Sequence, residues 1–310
     1  MEQDLDVRSI LENKLLEYGV NIIDRNDLQI DKPHFAEGGF GKVYKGKYLT
    51  NIDVAIKKLH RFKVEKNVLP QRYMFDMLKN IINEIHIVSM VKNPSFPIFH
   101  GVCINKSVLF VFEYINGEPL NKCYTSLEPL AKLDVIKQLT AILADLHSRK
   151  IIHRDIKPAN VMLEEGNRVR LIDFGISRIF QNTITFTANE NYTINYTAPE
   201  AIDPLEINKG ASNKLIVISP KIDIWSLGCI ISQIFSEVVP WRNVCRTDPP
   251  IIKKLLQKVD FPIPENIKDE KIKFLIRKAC TVDYKDRPNS KEFLNWINLV
   301  IQKSREIYAG

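Results

Sequence analysis

The change of periodicity near residue 115 constrains this chain more than any other feature. From "DLQIDKPHF" to "VFEY", residues 27 to 114, short apolar runs of β type dominate, with one helical segment among them. After "INGEPL" (115 to 120), whose Asn-Gly pair and proline signal a turn, apolar residues recur at helical spacing. Strands first and helices afterwards predict an α+β fold, not the alternation of a doubly wound sheet, with a lobe boundary at the turn. The 310 residues are enough to bury a substantial core in one large or two smaller lobes. Ahead of the strands, Val7, Ile10, Leu11, Lys14, Leu15 and Tyr18 fall at helical spacing, which predicts a short amphipathic helix over 5 to 18 that packs or contacts a partner.

Composition narrows the function classes. An apolar share of 45% against 26% charged residues belongs to a chain that folds. Its longest apolar runs, such as "VLFVF" and "LIVI", fall far short of the ~20 residues that cross a bilayer. The opening "MEQDLDVRSI" is acidic, lacks an apolar h-region and has no glycine at its second position. Neither a secretory signal nor a myristoyl site is expected, and a cytoplasmic or nuclear address follows. Cys103, Cys123, Cys229, Cys245 and Cys280 are scattered without a C-x-x-C pair and read as reduced thiols. The net charge of +7 raises the question of a nucleic-acid partner. Lys and Arg are spread along the chain, however, and the densest patch, "KKLHRFKVEK" (57 to 66), is interrupted by Glu65 and has no aromatic ladder. No nucleic acid is expected.

Phosphate chemistry enters with "FAEGGFGKVYKG", Phe35 to Gly46. Gly38, Gly39 and Gly41 let a backbone approach a ligand closely, yet the same glycines suit an ordinary tight hairpin. Downstream, "VAIKK" alternates as a strand, with Val54 and Ile56 on one side, and reaches Lys57, a position where a lysine ordinarily snorkels to the surface. In "MFDMLKNIINEIHIVSMV" the residues Met77, Ile81, Glu84, Val88 and Val91 fall on one helical face. Glu84 is thereby set in an apolar stripe, where an unpaired carboxylate is costly. It either meets a cation, for which Lys57 is the candidate, or sits at a rotated helix edge in water. In the second half, "IIHRDIKPANVML" (151 to 163) groups Asp155, Lys157 and Asn160, with Pro158 barring a continuous helix, so one loop can aim three polar side chains at a point. Asp and Asn are also ordinary turn residues. "LIDFGIS" carries a strand-like run to Asp173, which is either a cation ligand or a turn cap.

In order along the chain stand "EGGFGKV", "VAIK", "HRDIKPAN", "DFG", "APE" at 198 to 200, "DIWSLG" at 223 to 228 and "DRP" at 286 to 288. Each is weak singly; the ordered set resembles a eukaryotic-type protein kinase domain from about Pro33 to about Gln302. The resemblance implies a bilobal α+β kinase fold with an N-lobe over 33–115, a C-lobe over 116–302, an N-terminal extension over 1–32 and a C-terminal tail over 303–310. It implies that Phe35, Ala36, Glu37, Gly38, Gly39, Phe40, Gly41 and Lys42 form the loop over the ATP phosphates. Lys57 would then pair with the α- and β-phosphates and with Glu84, Val43 and Ala55 would contact adenine, and Met162 would close that pocket. Glu113 to Ile115 resembles the hinge that bonds adenine, with Phe112 guarding the pocket behind it. Asp155 would accept or orient the substrate hydroxyl proton, Lys157 would steady the transferring phosphoryl group, and Asn160 and Asp173 would hold Mg²⁺. Such a transfer asks mainly for positioning and charge neutralisation. Asp223 resembles the buried anchor of the catalytic loop, and Glu200 is expected to pair with Arg287.

The departures from the family pattern are specific. Ala36 occupies the first glycine position of the phosphate loop, with weaker nucleotide affinity as the expected result. The 27 positions from Lys57 to Glu84 exceed the usual spacing and make Glu65 a rival partner, and the 23 from Glu200 to Asp223 imply an insertion, "DPLEINKGASNKLIVIS". Lys157, two residues after Asp155, resembles the serine/threonine class, as does Thr193, whose counterpart bonds the catalytic Asp and Lys; the spacing around "VYKGKYLTNIDVAIKKL" resembles the tyrosine-kinase-like group. Arg154 implies control by a phosphorylated activation segment. Asn189 nevertheless stands at the usual phosphosite, with Glu190 beside it and Thr183, Thr185 and Thr187 nearby, so a partly constitutive enzyme is expected. ATP, Mg²⁺ and proteins bearing Ser or Thr acceptors are the implied ligands; the alternative is a pseudokinase scaffold that signals by contact.

Overall fold

A computed structural model describes residues 7–38, 41–63, 71–175, 177–179, 193–202 and 219–309. The chain divides into two compact units, Met1–Asn116 and Gly117–Gly310. The profile of secondary structure is α+β: the first unit holds most of the strands and the second most of the helices.

In the first unit, helix α1 (Val7–Glu17) leads into strands β1 (Leu28–Ile30), β2 (Ala36–Gly38), β3 (Gly41–Tyr48) and β4 (Ile52–Lys63), then helix α2 (Gln71–Met90), then β5 (Phe99–Ile104) and β6 (Ser107–Glu113). The antiparallel sheet runs β1-β3-β4-β6-β5, with β2 paired to β3. Period-two alternation gives this sheet two different faces. Val54 and Ile56 of β4 join Leu109 and Val111 of β6 in one cluster, beside Ile23 and Leu28. Leu59, Val108 and Phe110 point the other way and pack with Leu78, Ile81 and Ile85 of α2 and Leu11 and Leu15 of α1. Lys57 shares the second face by alternation, its neighbours across the ladder being Val43 and Phe110.

In the second unit, β7 (Glu118–Pro119) pairs with β9 (Val161–Glu164), which pairs with β10 (Arg168–Leu171), and β8 (Ile151–Ile152) pairs with β11 (Arg178–Ile179). The helices are α3 (Leu120–Cys123), α4 (Pro129–Ser148), α5 (Lys221–Ser236), α6 (Asp248–Leu256), α7 (Glu270–Ala279) and α8 (Ser290–Ala309). Helix α4 opens on a proline, which suits a first turn whose amide needs no partner, and buries Ile136, Leu139, Leu143 and Leu146 along one stripe. Helix α5 is buried nearly all round, so it forms the centre of this unit. Its one carboxylate, Asp223, is fully buried. Among the described residues no helix is long and apolar enough to cross a membrane, and the five cysteines are free thiols.

Candidate active site

The first unit supplies one buried charge pair. Lys57 Nζ lies 2.7 Å from Glu84 Oε1, and both side chains are nearly closed to solvent. Removing either partner would leave the other charge buried, a loss on the order of 3–5 kcal/mol. The ladder puts Val43 opposite Lys57 and Ala55 opposite Phe112, so Val43, Ala55, Lys57 and Phe112 share one sheet face. Of the phosphate-loop residues, Ala36 and Glu37 lie in β2, paired with Val43 and Lys42, and Gly38 closes that strand opposite Gly41. A Cβ on Gly41 would come within 2.3 Å of the Lys58 carbonyl oxygen, so the strand crossing requires glycine there. Phe35 is exposed and meets Tyr114 edge-on, and Lys42 stands 3.4 Å from Glu37. Gly39, Phe40 and Glu65 lie outside the described residues.

At the end of β6 the backbone changes partners. The Glu113 amide donates to the Ile98 carbonyl at 2.8 Å and its carboxylate accepts from the Ile98 amide at 3.0 Å. Tyr114 donates to Asp53, whereas the Ile115 amide has no backbone acceptor among the described residues.

The second unit concentrates its polar groups in one loop. Asp155 Oδ2 is 2.7 Å from Lys157 Nζ and accepts from Asn160 Nδ2 at 2.9 Å. The other hydrogen of that amide goes to the Asp155 carbonyl at 2.8 Å. Lys157 also donates to Thr193 Oγ1 at 3.0 Å, and that hydroxyl reaches Asp155 Oδ1 at 3.5 Å. One carboxylate oxygen is therefore held firmly and the other is barely engaged. Asp173 is tied to the same loop through its neighbour, since the Ile172 amide donates to the Asn160 carbonyl at 2.9 Å. Its backbone is left-handed, with φ of 66°, and its carboxylate accepts from the Gly175 amide at 3.1 Å. Met162 sits half-buried on β9.

The profile of the protein kinase domain matches residues 31–297. The chain belongs to the protein kinase family. It is 28% identical over 82% of its length to a probable serine/threonine-protein kinase, kinX, of Dictyostelium discoideum. It is 29% identical over 87% to the serine/threonine-protein kinase Nek10 of Mus musculus and 28% identical over 88% to the serine/threonine-protein kinase MPS1 of Encephalitozoon cuniculi. It spans 22%, 24% and 43% of the length of these three relatives.

Behind the kinase loop stands a second network, built on the expected anchor Asp223, with one member, His147, that sequence reasoning passed over. Asp223 accepts from the amides of His153 (2.9 Å) and Arg154 (2.8 Å) and from His147 Nε2 (2.9 Å). Burial alone would raise this carboxyl, but its contacts with His147, the hydrogen bond first, and the His153 amide hold it below its ordinary value. His147 at the end of α4 also contacts Ser290 at 3.1 Å. Nothing in the sequence marks His147, because its partners lie 76 and 143 positions away. Between the two aspartates sits His153, fully buried against Phe174 with ring centroids 5.3 Å apart. Its Nδ1 accepts from the Asp155 amide at 3.3 Å, which fixes the neutral ring with its hydrogen on Nε2. Glu200 and Arg287 form a bidentate pair at 2.6 and 3.1 Å, and Arg287 donates further to the carbonyls of Lys221 and Thr281. The activation-segment positions Thr183, Thr185, Thr187, Asn189 and Glu190, and residues 203–218 of the insertion, lie outside the described residues.

Proposed function

We propose that the protein is an ATP-dependent kinase that transfers the γ-phosphoryl group to Ser or Thr hydroxyls of protein substrates. The observation that carries this reading is the asymmetry of the Asp155 carboxylate. Lys157 and Asn160 hold Oδ2, while among the described residues Oδ1 is met only by the Thr193 hydroxyl at 3.5 Å. An incoming hydroxyl would find at Oδ1 an acceptor already aimed, which orients it toward phosphorus and takes its proton as the new P–O bond forms and ADP departs. Lys157 keeps a positive charge beside the transferring group. Lys57, held by Glu84, would grip the phosphates, beside the adenine-contacting face of Val43 and Ala55. Glu113 and Ile115 would supply backbone bonds to adenine.

The donor set fits magnesium. Both hydrogens of the Asn160 amide are spent on Asp155, no donor among the described residues reaches its Oδ1, and Asp173 adds a carboxylate tied to the same backbone. These are hard oxygen ligands of the kind Mg²⁺ takes. When bound, the ion neutralises charge between the phosphates.

Thr193 and Lys157 favour Ser/Thr over Tyr acceptors, as does the serine/threonine class of the relatives. The test is the purified 310-residue chain with Mg-ATP, a generic Ser/Thr substrate and a Tyr substrate, beside Asp155→Ala and Lys57→Met. Transfer to Ser/Thr by the wild type alone supports the proposal. Equal incorporation by all three proteins would sink it and leave the contact-signalling scaffold.

A further inference from the structure

Helix α1 and the connector after it precede residues 31–297, the part the family profile covers. They are nonetheless built into the first unit at two points. The connector runs along β5: the Val102 amide donates to the Asn21 carbonyl at 2.9 Å, and the Ile23 amide donates to the Val102 carbonyl at 2.9 Å. Gly101 has φ of +147°, and a Cβ on it would stand 2.3 Å from the Asn21 carbonyl oxygen, so β5 carries glycine where the connector crosses it. The second point is α2. Leu11 and Leu15 are completely buried in the cluster that contains Leu78, Ile81 and Ile85 of α2. Just past α1, Tyr18 stacks on His86 of α2 with ring centroids 4.3 Å apart and planes within 9°.

His86 is two residues beyond Glu84, and at about 100° per residue the two side chains leave α2 on nearly opposite sides. One side of α2 offers the carboxylate that meets Lys57 at 2.7 Å; the other is held by Tyr18. An ion pair of that length depends on where the whole helix sits, and α1 adds Leu11 and Leu15 to the apolar cluster in which Leu78, Ile81 and Ile85 of α2 are buried.

We propose that α1 and Tyr18 are positioning elements for the reaction: a brace within the chain that holds α2 where Glu84 engages Lys57. This rests on the kinase reading of Lys57 and Glu84. Tyr18 is the residue to test, because it is only partly buried and packs at the edge of the cluster, whereas Leu11 and Leu15 lie wholly inside it.

The experiment uses the full chain as Tyr18→Ala, the stack-preserving Tyr18→Phe, and Leu16→Ala at an exposed site on α1. Amide hydrogen exchange over 74–90 and steady-state kinetics are measured on each. In Tyr18→Ala, α2 should exchange roughly three- to tenfold faster, with α5 unchanged, and kcat/KM for ATP should fall by a similar factor, with KM for the acceptor peptide unaltered. Tyr18→Phe should restore both readouts, and Leu16→Ala should move neither. Unchanged α2 exchange in Tyr18→Ala overturns the brace. So does faster exchange with unchanged kcat/KM, or an equal loss in Tyr18→Phe. A wild type that transfers no more phosphate than Asp155→Ala instead overturns the kinase reading, and the assigned role with it, whatever α2 exchange shows.

Discussion

Two aspartates of the second unit, Asp155 and Asp223, meet the same short loop and are used in opposite ways. Asp223 is fully buried and saturated, with both oxygens engaged by two backbone amides and a histidine. Asp155 keeps a little exposure and, among the described residues, leaves Oδ1 with one long contact. A carboxylate whose bonding capacity is filled holds a backbone in place, and one with an oxygen in reserve can act on something that arrives. The first makes the second possible, because the amides that Asp223 holds belong to the two residues immediately before Asp155.

Removing the reserved oxygen should have the largest effect, and only on rate. Asp155→Ala is expected to lower kcat by about 10²–10⁴-fold, the range for a positioned proton acceptor. Its denaturation midpoint should stay close to wild type. A large stability loss would put Asp155 in the same class as Asp223.

Breaking the saturated partner should do the reverse. Asp223→Ala strands two amides and His147 in a site closed to water, at a cost on the order of 3–5 kcal/mol. Chemical denaturation should show this directly, together with a thermal midpoint lower by roughly 10 °C. A midpoint unchanged within error would mean that the loop is held by something else. A smaller change sharpens the contrast from the Asp155 side. Thr193→Val removes the hydroxyl between Lys157 and Asp155 while keeping the shape, so kcat should fall about tenfold, with the fold intact, as expected for a lost bond to a charged group. An unchanged kcat would show that Lys157 and Asn160 alone orient the carboxylate.

How far these relations can be read from sequence depends on separation. The alternation of β4 and the apolar stripe of α2 put a lysine and a carboxylate in want of each other, and they stand paired although 27 positions apart. The helix read over 5 to 18 is observed as Val7–Glu17. The α+β division follows from the change of period, and the protein kinase family from its ordered motifs. What periodicity does not carry is the partner of a single polar residue from a distant element. His147 is one histidine at the end of an amphipathic helix, and only the packing of α4 against α5 brings it to Asp223. Tyr18 looks like the last apolar position of a short helix, and its stack on His86 depends on a tertiary contact between α1 and α2.

The smallest effect lies at the residue shared by both aspartates. His153 gives its amide to Asp223 and accepts the Asp155 amide at Nδ1, and burial pushes its pKa below the ordinary 6.5 despite the nearby carboxylates. In the unfolded chain the ring takes up a proton as pH falls through about 6.5. The buried ring does not, so below that value the unfolded state binds more protons and stability declines; above it the full stability is present. The size is limited to one proton, at most about 0.7 kcal/mol between pH 7 and pH 6. Asp223 adds its own loss only at lower pH, as its depressed carboxyl begins to protonate. His153→Phe keeps a ring against Phe174 and the amide bond to Asp223 but has no site to titrate. Denaturation midpoints measured from pH 7 to pH 5.5 should therefore slope less in the variant. Some slope should remain, because His100 in the first unit is pushed down by burial in the same way. Equal slopes in the two proteins would mean that His153 takes up its proton in the fold, and that the bond linking the two aspartates is not kept by a neutral ring.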